Sequence, residues 1–225
     1  MILQNEEDCM PKTLKIIDKI LAVDLRTEEG LDLKLGGYLM QQGAEQKECA
    51  LIYKGDIVCP QAPILLRINS ACFTGDIFHC ARCDCSWQLK EAMKKIAQEG
   101  GLIIYQFDHE GRGHGFVSKL KSFVVMDECQ KTSFEAFEHL GQKPDKRDFL
   151  ASVLILKDLG IKQVRLISNN PQKKDFLMEH GIDALELIPS IIPDKRLRPY
   201  LLSKKNQFGH LMEFDDILNQ EEGMA

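Results

Sequence analysis

The chain has little of what marks a membrane-spanning or secreted protein. Its 225 residues contain one tryptophan, and no apolar run approaches the about 20 residues that a membrane-spanning helix needs. The first ten residues carry acids where a signal peptide would carry basic residues. The 44% hydrophobic and 28% charged residues are ordinary for a globular protein with a buried core. We therefore expect a cytoplasmic protein with no membrane partner.

An excess of basic charge is also missing. The formal net charge is −5, with 29 Lys plus Arg against 34 Asp plus Glu. Proteins that coat nucleic acid usually have a basic balance, so we expect no nucleic-acid partner. A local basic pocket for one phosphorylated small molecule is still compatible with this overall charge.

Apolar patterns that alternate between strand and helix predict an α/β fold. The predicted strands are Ala50–Val58, Ile64–Ile68, Leu102–Phe107, Val164–Ser168 and Ala184–Ile188. The predicted helices are Pro11–Ala22, Cys85–Glu99, a stretch ending near Met126, Lys146–Leu159 capped by Asp145, and Pro171–His180.

Four of the eight cysteines fall within one short segment, Cys72–Cys85. In a long cytoplasmic chain such a cluster indicates a metal site rather than disulfides. Cys83 and Cys85 are two residues apart, and Cys72 returns across a turn, so three thiolates plus one water would form a zinc site with an open position. A fourth ligand from His79 or Cys80 would close the site and make it structural. Buried cysteines without a metal are the third interpretation.

Two segments have the composition of anion-binding turns. Three glycines in Glu110–Gly115 let backbone N–H groups approach an anion, and Arg112 offers a guanidinium fork. The segment Ser168–Lys174 ends a strand and opens a helix, where free N–H groups attract phosphate. Arg67, at the end of a strand, is a third candidate phosphate contact. The alternatives are a plain strand-to-helix connection and ordinary helix capping.

Taken together, these segments resemble the GTP cyclohydrolase II family. The matching pieces include Arg67-Ile-Asn-Ser-Ala-Cys72, Thr74-Gly-Asp76, Arg82-Cys-Asp-Cys85, Gln88-Leu89, Glu110-Gly-Arg-Gly113, Asp145-Lys-Arg147-Asp148 and Asn169-Asn-Pro171. The resemblance covers roughly residues 25–212 and implies a single catalytic domain built on a mixed sheet flanked by helices. Residues 1–24 would then be an N-terminal extension and residues 213–225 an acidic, flexible tail.

The resemblance also implies an activity and its cofactors. Cys72, Cys83 and Cys85 would hold one Zn²⁺ per subunit, whose water attacks the imidazole ring of GTP and leads to formate release. Asp145 would act as proton acceptor, and Arg147 as the nucleophile at the α-phosphate that releases pyrophosphate. Mg²⁺ would bridge the phosphates. The enzyme would be a homodimer and would act in riboflavin biosynthesis. Without the resemblance, Asp145 and Arg147 would be a helix cap and a solvated ion pair.

The substrate contacts come from the same resemblance. The residues implied to bind the nucleotide are Arg67, Asn69, Ser70, Gln88, Glu110, Gly111, Arg112, Thr132, Ser168 and Lys173.

Three positions depart from the family pattern. The family usually reads His-Ser-Glu where this chain has Asn69-Ser70-Ala71, and a tyrosine where it has Phe123. Alanine cannot accept the N–H donors of a guanine edge as a carboxylate can. The alternatives are therefore ring opening of another purine or a uracil nucleotide, or a non-catalytic nucleotide-binding paralogue with structural zinc.

Overall fold

A computed structural model of the protein describes residues 13–190, 201–202, 204–206 and 209. One sheet of seven strands has the order β1-β2-β3-β5-β4-β6-β7. The strands are β1 Lys15–Arg26, β2 Asp32–Gln42, β3 Glu45–Lys54, β4 Ile64–Ser70, β5 Gly101–Gln106, β6 Gln163–Ile167 and β7 Asp183–Ile188. The helices are α1 Phe73–Asp76, α2 Cys85–Glu99, α3 Phe116–Cys129, α4 Ser133–His139, α5 Leu150–Asp158 and α6 Pro171–Glu179.

The sheet is mixed because its two halves run differently. Strands β1, β2, β3 and β5 pair antiparallel, whereas β5, β4, β6 and β7 pair parallel. Helices cover both faces: Ile155 of α5 packs in one apolar cluster, and Ile96 of α2 packs with Ile103 in another. The predicted class, α/β with a mixed sheet flanked by helices, is confirmed.

The predicted N-terminal helix Pro11–Ala22 is wrong, since β1 occupies Lys15–Arg26. Register shifts at Ile16/Asp18 and Ile20/Val23 interrupt the strand alternation. Apolar residues therefore fall at irregular intervals that imitate a helical stripe. The predicted boundary between residues 24 and 25 falls inside this strand, and the tail 213–225 lies outside the described residues.

The other elements agree more closely with the sequence patterns. Helix α2 begins and ends where predicted, at Cys85 and Glu99. The helix predicted from Lys146 begins only at Leu150. A side-chain oxygen of Asp145 accepts the backbone N–H of Arg147 at 3.0 Å, and such local bonds compete with helix formation. In the part of the chain that the structure describes, no helix is long and apolar enough to cross a membrane.

The parallel half of the sheet positions the candidate site. The carboxyl ends of β4, β5 and β6 lie side by side, and each continues into a segment singled out above. Strand β4 leads to Cys72, β5 leads to a 3₁₀ segment at Phe107–Gly113, and β6 leads to Ser168. Ligands of open α/β sheets bind outside these carboxyl ends.

Candidate active site

Three cysteines meet at the end of β4. Cys72 precedes α1, Cys83 lies in the loop before α2, and Cys85 is the first residue of α2. Their sulfur atoms lie within 4.8 Å of one another. The cluster of three thiols that their spacing predicts, Cys72, Cys83 and Cys85, is thus present. His79 and Cys80 are not part of this group, and His79 Nδ1 lies 2.7 Å from Ser86 Oγ instead.

The geometry of this thiol cluster fits a tetrahedral metal. Cys72 Sγ and Cys83 Sγ are 3.7 Å apart. Two thiolates at about 2.3 Å from one tetrahedral ion would be about 3.8 Å apart. Gly75 borders the cluster, and a Cβ placed there would lie 2.9 Å from Cys72 Sγ and 3.1 Å from Cys83 Sγ. A glycine at this position leaves the sulfurs room to converge.

Replacing Gly75 with alanine is therefore expected to weaken zinc binding by about 10- to 100-fold, because the new methyl group displaces two sulfurs. Zinc competition against a chromophoric chelator measures the change. Gly37→Ala is the matched control, since a Cβ there finds its nearest atom at 3.7 Å and lies on the distant strand β2. Equal zinc affinity in both variants would contradict a metal site at the three cysteines.

Lys119 reaches the cluster from α3. Its Nζ lies 3.0 Å from Cys72 Sγ and 2.8 Å from Glu110 Oε1. Hydrogen bonds from Cys83 and Cys85, together with the Lys119 charge, hold the pKa of the Cys72 thiol well below its usual value. Burial disfavours the Lys119 ammonium, but its bonds to Glu110 and Cys72 outweigh this and raise its pKa. The Lys119 contact thus favours the thiolate form of Cys72, and the Cys72 contact favours the ammonium form of Lys119.

Arg147 is held from two sides. Its Nε lies 2.9 Å from Asp145 Oδ1, and its Nη1 donates to Ser70 Oγ at 3.2 Å. Burial raises the pKa of Asp145, but the Arg147 hydrogen bond and charge outweigh it, so the net pKa is lowered. The ion pair read from the residues is present but half-buried, and it faces a cleft rather than open solvent.

A buried histidine orients the Ser70 hydroxyl. His109 Nε2 lies 2.7 Å from the Asp148 carbonyl oxygen and 3.0 Å from Gln106 Nε2. Because a carbonyl oxygen can only accept, the shorter contact assigns the proton to His109 Nε2. His109 Nδ1 therefore accepts from Ser70 Oγ at 3.0 Å. Burial and the charge of Arg147 lower the pKa of His109 to about 4, which keeps the ring neutral.

Two further cations, the buried Arg67 and the half-buried Lys173, line the same cleft. Arg67 Nε donates to Asn69 Oδ1 at 2.8 Å and its Nη2 to Gln88 Oε1 at 2.9 Å. Lys173 Nζ donates to the Ile68 carbonyl at 2.9 Å. Burial, followed by repulsion from neighbouring arginines, lowers the pKa of Lys173 well below its usual value. An anion in the cleft would relieve this repulsion.

The cleft gathers most of the predicted residues. Those that line it are Arg67, Asn69, Ser70, Cys72, Cys83, Cys85, Gln88, Gly111, Arg112, Arg147, Ser168 and Lys173. Glu110, Thr132 and Asp145 are not among the lining residues. Thr132 forms the capping box of α4 with Glu135. All three departures from the family pattern, Asn69, Ala71 and Phe123, line the cleft.

The charge of the cleft is opposite to that of the chain. Its basic lining residues are Arg67, Arg82, Arg112, Lys119, Arg147, Lys173 and Lys204. Among the described residues, no aspartate or glutamate lines it, although the whole chain has a net charge of −5. A cleft lined in this way attracts a polyanion.

Two residues of this site were not predicted to belong to it. Lys119 shares the buried face of α3 with Ser122 and Val125. A lysine in register with buried residues was the available signal, because lysine is rarely buried without a partner. His109 lies 39 residues from Ser70 along the chain, so its bond to that hydroxyl exists only in the folded chain.

Comparison with known proteins supports one family. The family model described as GTP cyclohydrolase II matches residues 18–189. The chain is 36% identical over 206 residues to "GTP cyclohydrolase-2" of Archaeoglobus fulgidus, covering 91% of this chain and 53% of that protein. It is 36% identical over 200 residues to "Riboflavin biosynthesis protein RibBA" of Aquifex aeolicus, covering 87% and 48%.

The chain thus spans about half the length of the curated relatives it matches. One solved structure, RibBX of A. baumannii, is similar with a TM-score of 0.39 and 14% identity, covering 80% of this chain and 41% of that chain. That likeness is too weak to bear on function. The family-model match and the 36% identity over most of the chain show that it belongs to the GTP cyclohydrolase II family.

Proposed function

We propose that this chain is a zinc-dependent hydrolase that opens the imidazole ring of GTP, with release of formate and pyrophosphate, in riboflavin biosynthesis. The observation that carries the proposal is the meeting of a three-thiol cluster with a basic cleft that no described carboxylate lines. Thiolates favour zinc, and the cations favour a triphosphate. Residues 25–212 would form the catalytic domain of a cytoplasmic enzyme.

The metals would enter this site in different ways. Zinc held by Cys72, Cys83 and Cys85 would supply Lewis-acid activation of water near neutral pH. No described lining residue offers a carboxylate for magnesium, so we propose that Mg²⁺ arrives bound to the nucleotide phosphates.

The chain's own residues would handle the triphosphate. Arg67, Arg112 and Lys173 would bind its oxygens, and Ser168 would add a hydroxyl. Arg147 would attack the α-phosphate, so that an N–P bond forms as the bond to pyrophosphate breaks. A guanidinium is almost always protonated, and the Asp145 carboxylate at 2.9 Å is the acceptor within reach of its proton.

A different base is the second candidate. Ala71 and Phe123 line the cleft, so neither the carboxylate nor the hydroxyl that the family usually has is supplied at these positions. A guanine edge presents three N–H donors and gains most from a carboxylate acceptor. These two residues favour another purine nucleotide or a uracil nucleotide as the alternative substrate.

The test is incubation of the zinc-loaded protein with GTP and Mg²⁺, with formate and pyrophosphate assayed separately. Both products are expected. Formate alone would mean that the Arg147 step does not occur as proposed. Neither product would reject GTP. The same assay with inosine triphosphate would then test the second candidate, and for uridine triphosphate the gain of one water on ring opening would be followed by mass spectrometry.

An exposed aromatic patch next to the thiol cluster supports a homodimer. The Phe73 ring lies 5.3 Å from Phe78 and 5.2 Å from Phe116, centroid to centroid, although the three residues are 45%, 68% and 39% exposed. Contiguous exposed apolar surface of this kind marks interaction sites. A second copy of the chain is the occupant that the family resemblance implies.

Replacing Phe78 with aspartate is expected to weaken dimerisation by at least about 10-fold, because burying a carboxylate in an apolar interface is costly. Sedimentation equilibrium measures the association constant. Val58→Asp is the control, because Val58 is also exposed, at 49%, but lies before the first residue of β4 whereas the aromatic patch follows the last. This variant should leave the association constant unchanged. A monomeric wild-type protein would overturn the proposed dimer.

A further inference from the structure

The Lys119 ammonium is built into the protein between a thiolate and a carboxylate. Lys119 is 9% exposed, and its Nζ lies 3.0 Å from Cys72 Sγ and 2.8 Å from Glu110 Oε1. Burying a lysine and a glutamate has a desolvation cost that surface pairs avoid. We therefore look for the function of Lys119 at the atom that its ammonium contacts, the Cys72 sulfur.

Glu110 faces the protein rather than the cleft. Its Oε1 also accepts the Gly111 backbone N–H at 3.0 Å, and its Oε2 accepts the backbone N–H of Phe73 in α1. Both carboxylate oxygens are therefore engaged within the protein, and Glu110 does not line the cleft. Glu110 thus links α1, the glycine-rich turn and Lys119, and the substrate contact that the resemblance implies for it stays a prediction.

The local backbone makes room for this link. Gly111 has a φ of +58°, and a Cβ there would lie 3.3 Å from the Lys119 Cβ. Most side chains at this position would crowd the base of the lysine. The glycine-rich turn thus allows the close approach of α3 to the thiol cluster, besides any contact it makes with a phosphate.

The positive charge of Lys119 would balance the charge of a metal-bound thiol cluster. Three thiolates around one Zn²⁺ sum to a charge of −1, and an ammonium beside one thiolate offsets it. A charge-assisted N–H···S bond also fixes the direction of the Cys72 side chain. Outer-shell partners of metal ligands act in both ways.

We propose that Lys119 and Glu110 are positioning residues of the metal centre: Glu110 orients the ammonium of Lys119, which holds the Cys72 thiolate in its metal-binding direction. This inference rests on the proposed function only in placing zinc at the three cysteines. It needs neither GTP nor ring opening.

The test measures metal binding without substrate. Lys119→Met keeps the length of the side chain and removes its charge, and it is expected to bind zinc about 10- to 100-fold more weakly in chelator competition. Lys121→Met makes the same change at an exposed position of α3 and should bind zinc as the wild type does. With Co²⁺ as the probe, the thiolate-to-metal absorption of Lys119→Met should move to longer wavelength, because the sulfur becomes richer in electrons.

Two further variants separate positioning from folding. The double variant Lys119→Met/Glu110→Gln leaves no orphaned charge, and it should unfold near the wild-type temperature without metal yet still bind zinc weakly. Lys119→Arg restores a cationic donor and should bind zinc more tightly than Lys119→Met. Wild-type zinc affinity and cobalt spectrum in Lys119→Met would overturn the inference alone. A wild-type protein that binds no zinc would overturn the proposed function and this inference together.

Discussion

Replacing Cys83 with serine is expected to abolish stoichiometric zinc binding and to stop formate release. Cys83 Sγ lies 3.7 Å from Cys72 Sγ, and the three sulfurs lie within 4.8 Å of one another. A serine hydroxyl is a poor ligand for zinc at neutral pH, because it does not ionise as a thiol does. We expect the loss of affinity to exceed the about 100-fold typical of an outer-shell residue. Metal analysis after dialysis and a formate assay measure the two effects.

Cys80→Ser is the matched control for this variant. Cys80 lies in the same loop, three residues away, but is outside the thiol group. Its replacement should leave metal content and formate release near those of the wild type. If Cys80→Ser lost zinc as Cys83→Ser does, the site would be a closed four-ligand site, and the catalytic role proposed for it would be wrong.

Replacing Arg147 with alanine is expected to reduce pyrophosphate release by at least about 100-fold, whether its guanidinium attacks the phosphate or stabilises its charge. Arg147 lines the cleft and is held by Asp145 at 2.9 Å and by Ser70 at 3.2 Å, so its position is well defined. Zinc content should not change. Single-turnover release of pyrophosphate from GTP is the measurement.

Two variants interpret that result. Lys146→Ala removes an exposed neighbouring charge and should keep the wild-type rate. Arg147→Lys keeps the charge but loses the fork held by Asp145. Recovery of most of the rate in Arg147→Lys would mean that Arg147 only binds phosphate, and a wild-type rate in Arg147→Ala would remove it from the mechanism.

Features that depend on neighbours in the chain were predictable. The thiol cluster was predictable from the sequence, because Cys83 and Cys85 are two residues apart and Cys72 is eleven residues before Cys83. Helix α2 was predictable because its apolar residues recur at helical spacing and because Gly100 directly follows its last residue. Strand β1 was not predictable in this way, because its two register shifts appear only in its pairing with β2.

The residue types of the site were also visible, but their partners were not. Asp145 and Arg147 were recognised as a pair, whereas the pattern after them predicted a helix that begins four residues too early. Thr132 caps α4 through its bond to Glu135, a role that its spacing to that glutamate also indicates, and the substrate contact implied for Thr132 stays a prediction.

By itself, the sequence determined the α/β class, the three thiols and the cationic residues of an anion-binding cleft, because composition, periodicity and short spacings are local properties. Only the tertiary structure decided that Lys119 contacts Cys72 across 47 residues and that Arg147 contacts Ser70 across 77. The physical reason is the strand order, which sets the carboxyl ends of β4, β5 and β6 side by side. Separation along the chain carries no information about that adjacency until the sheet has formed.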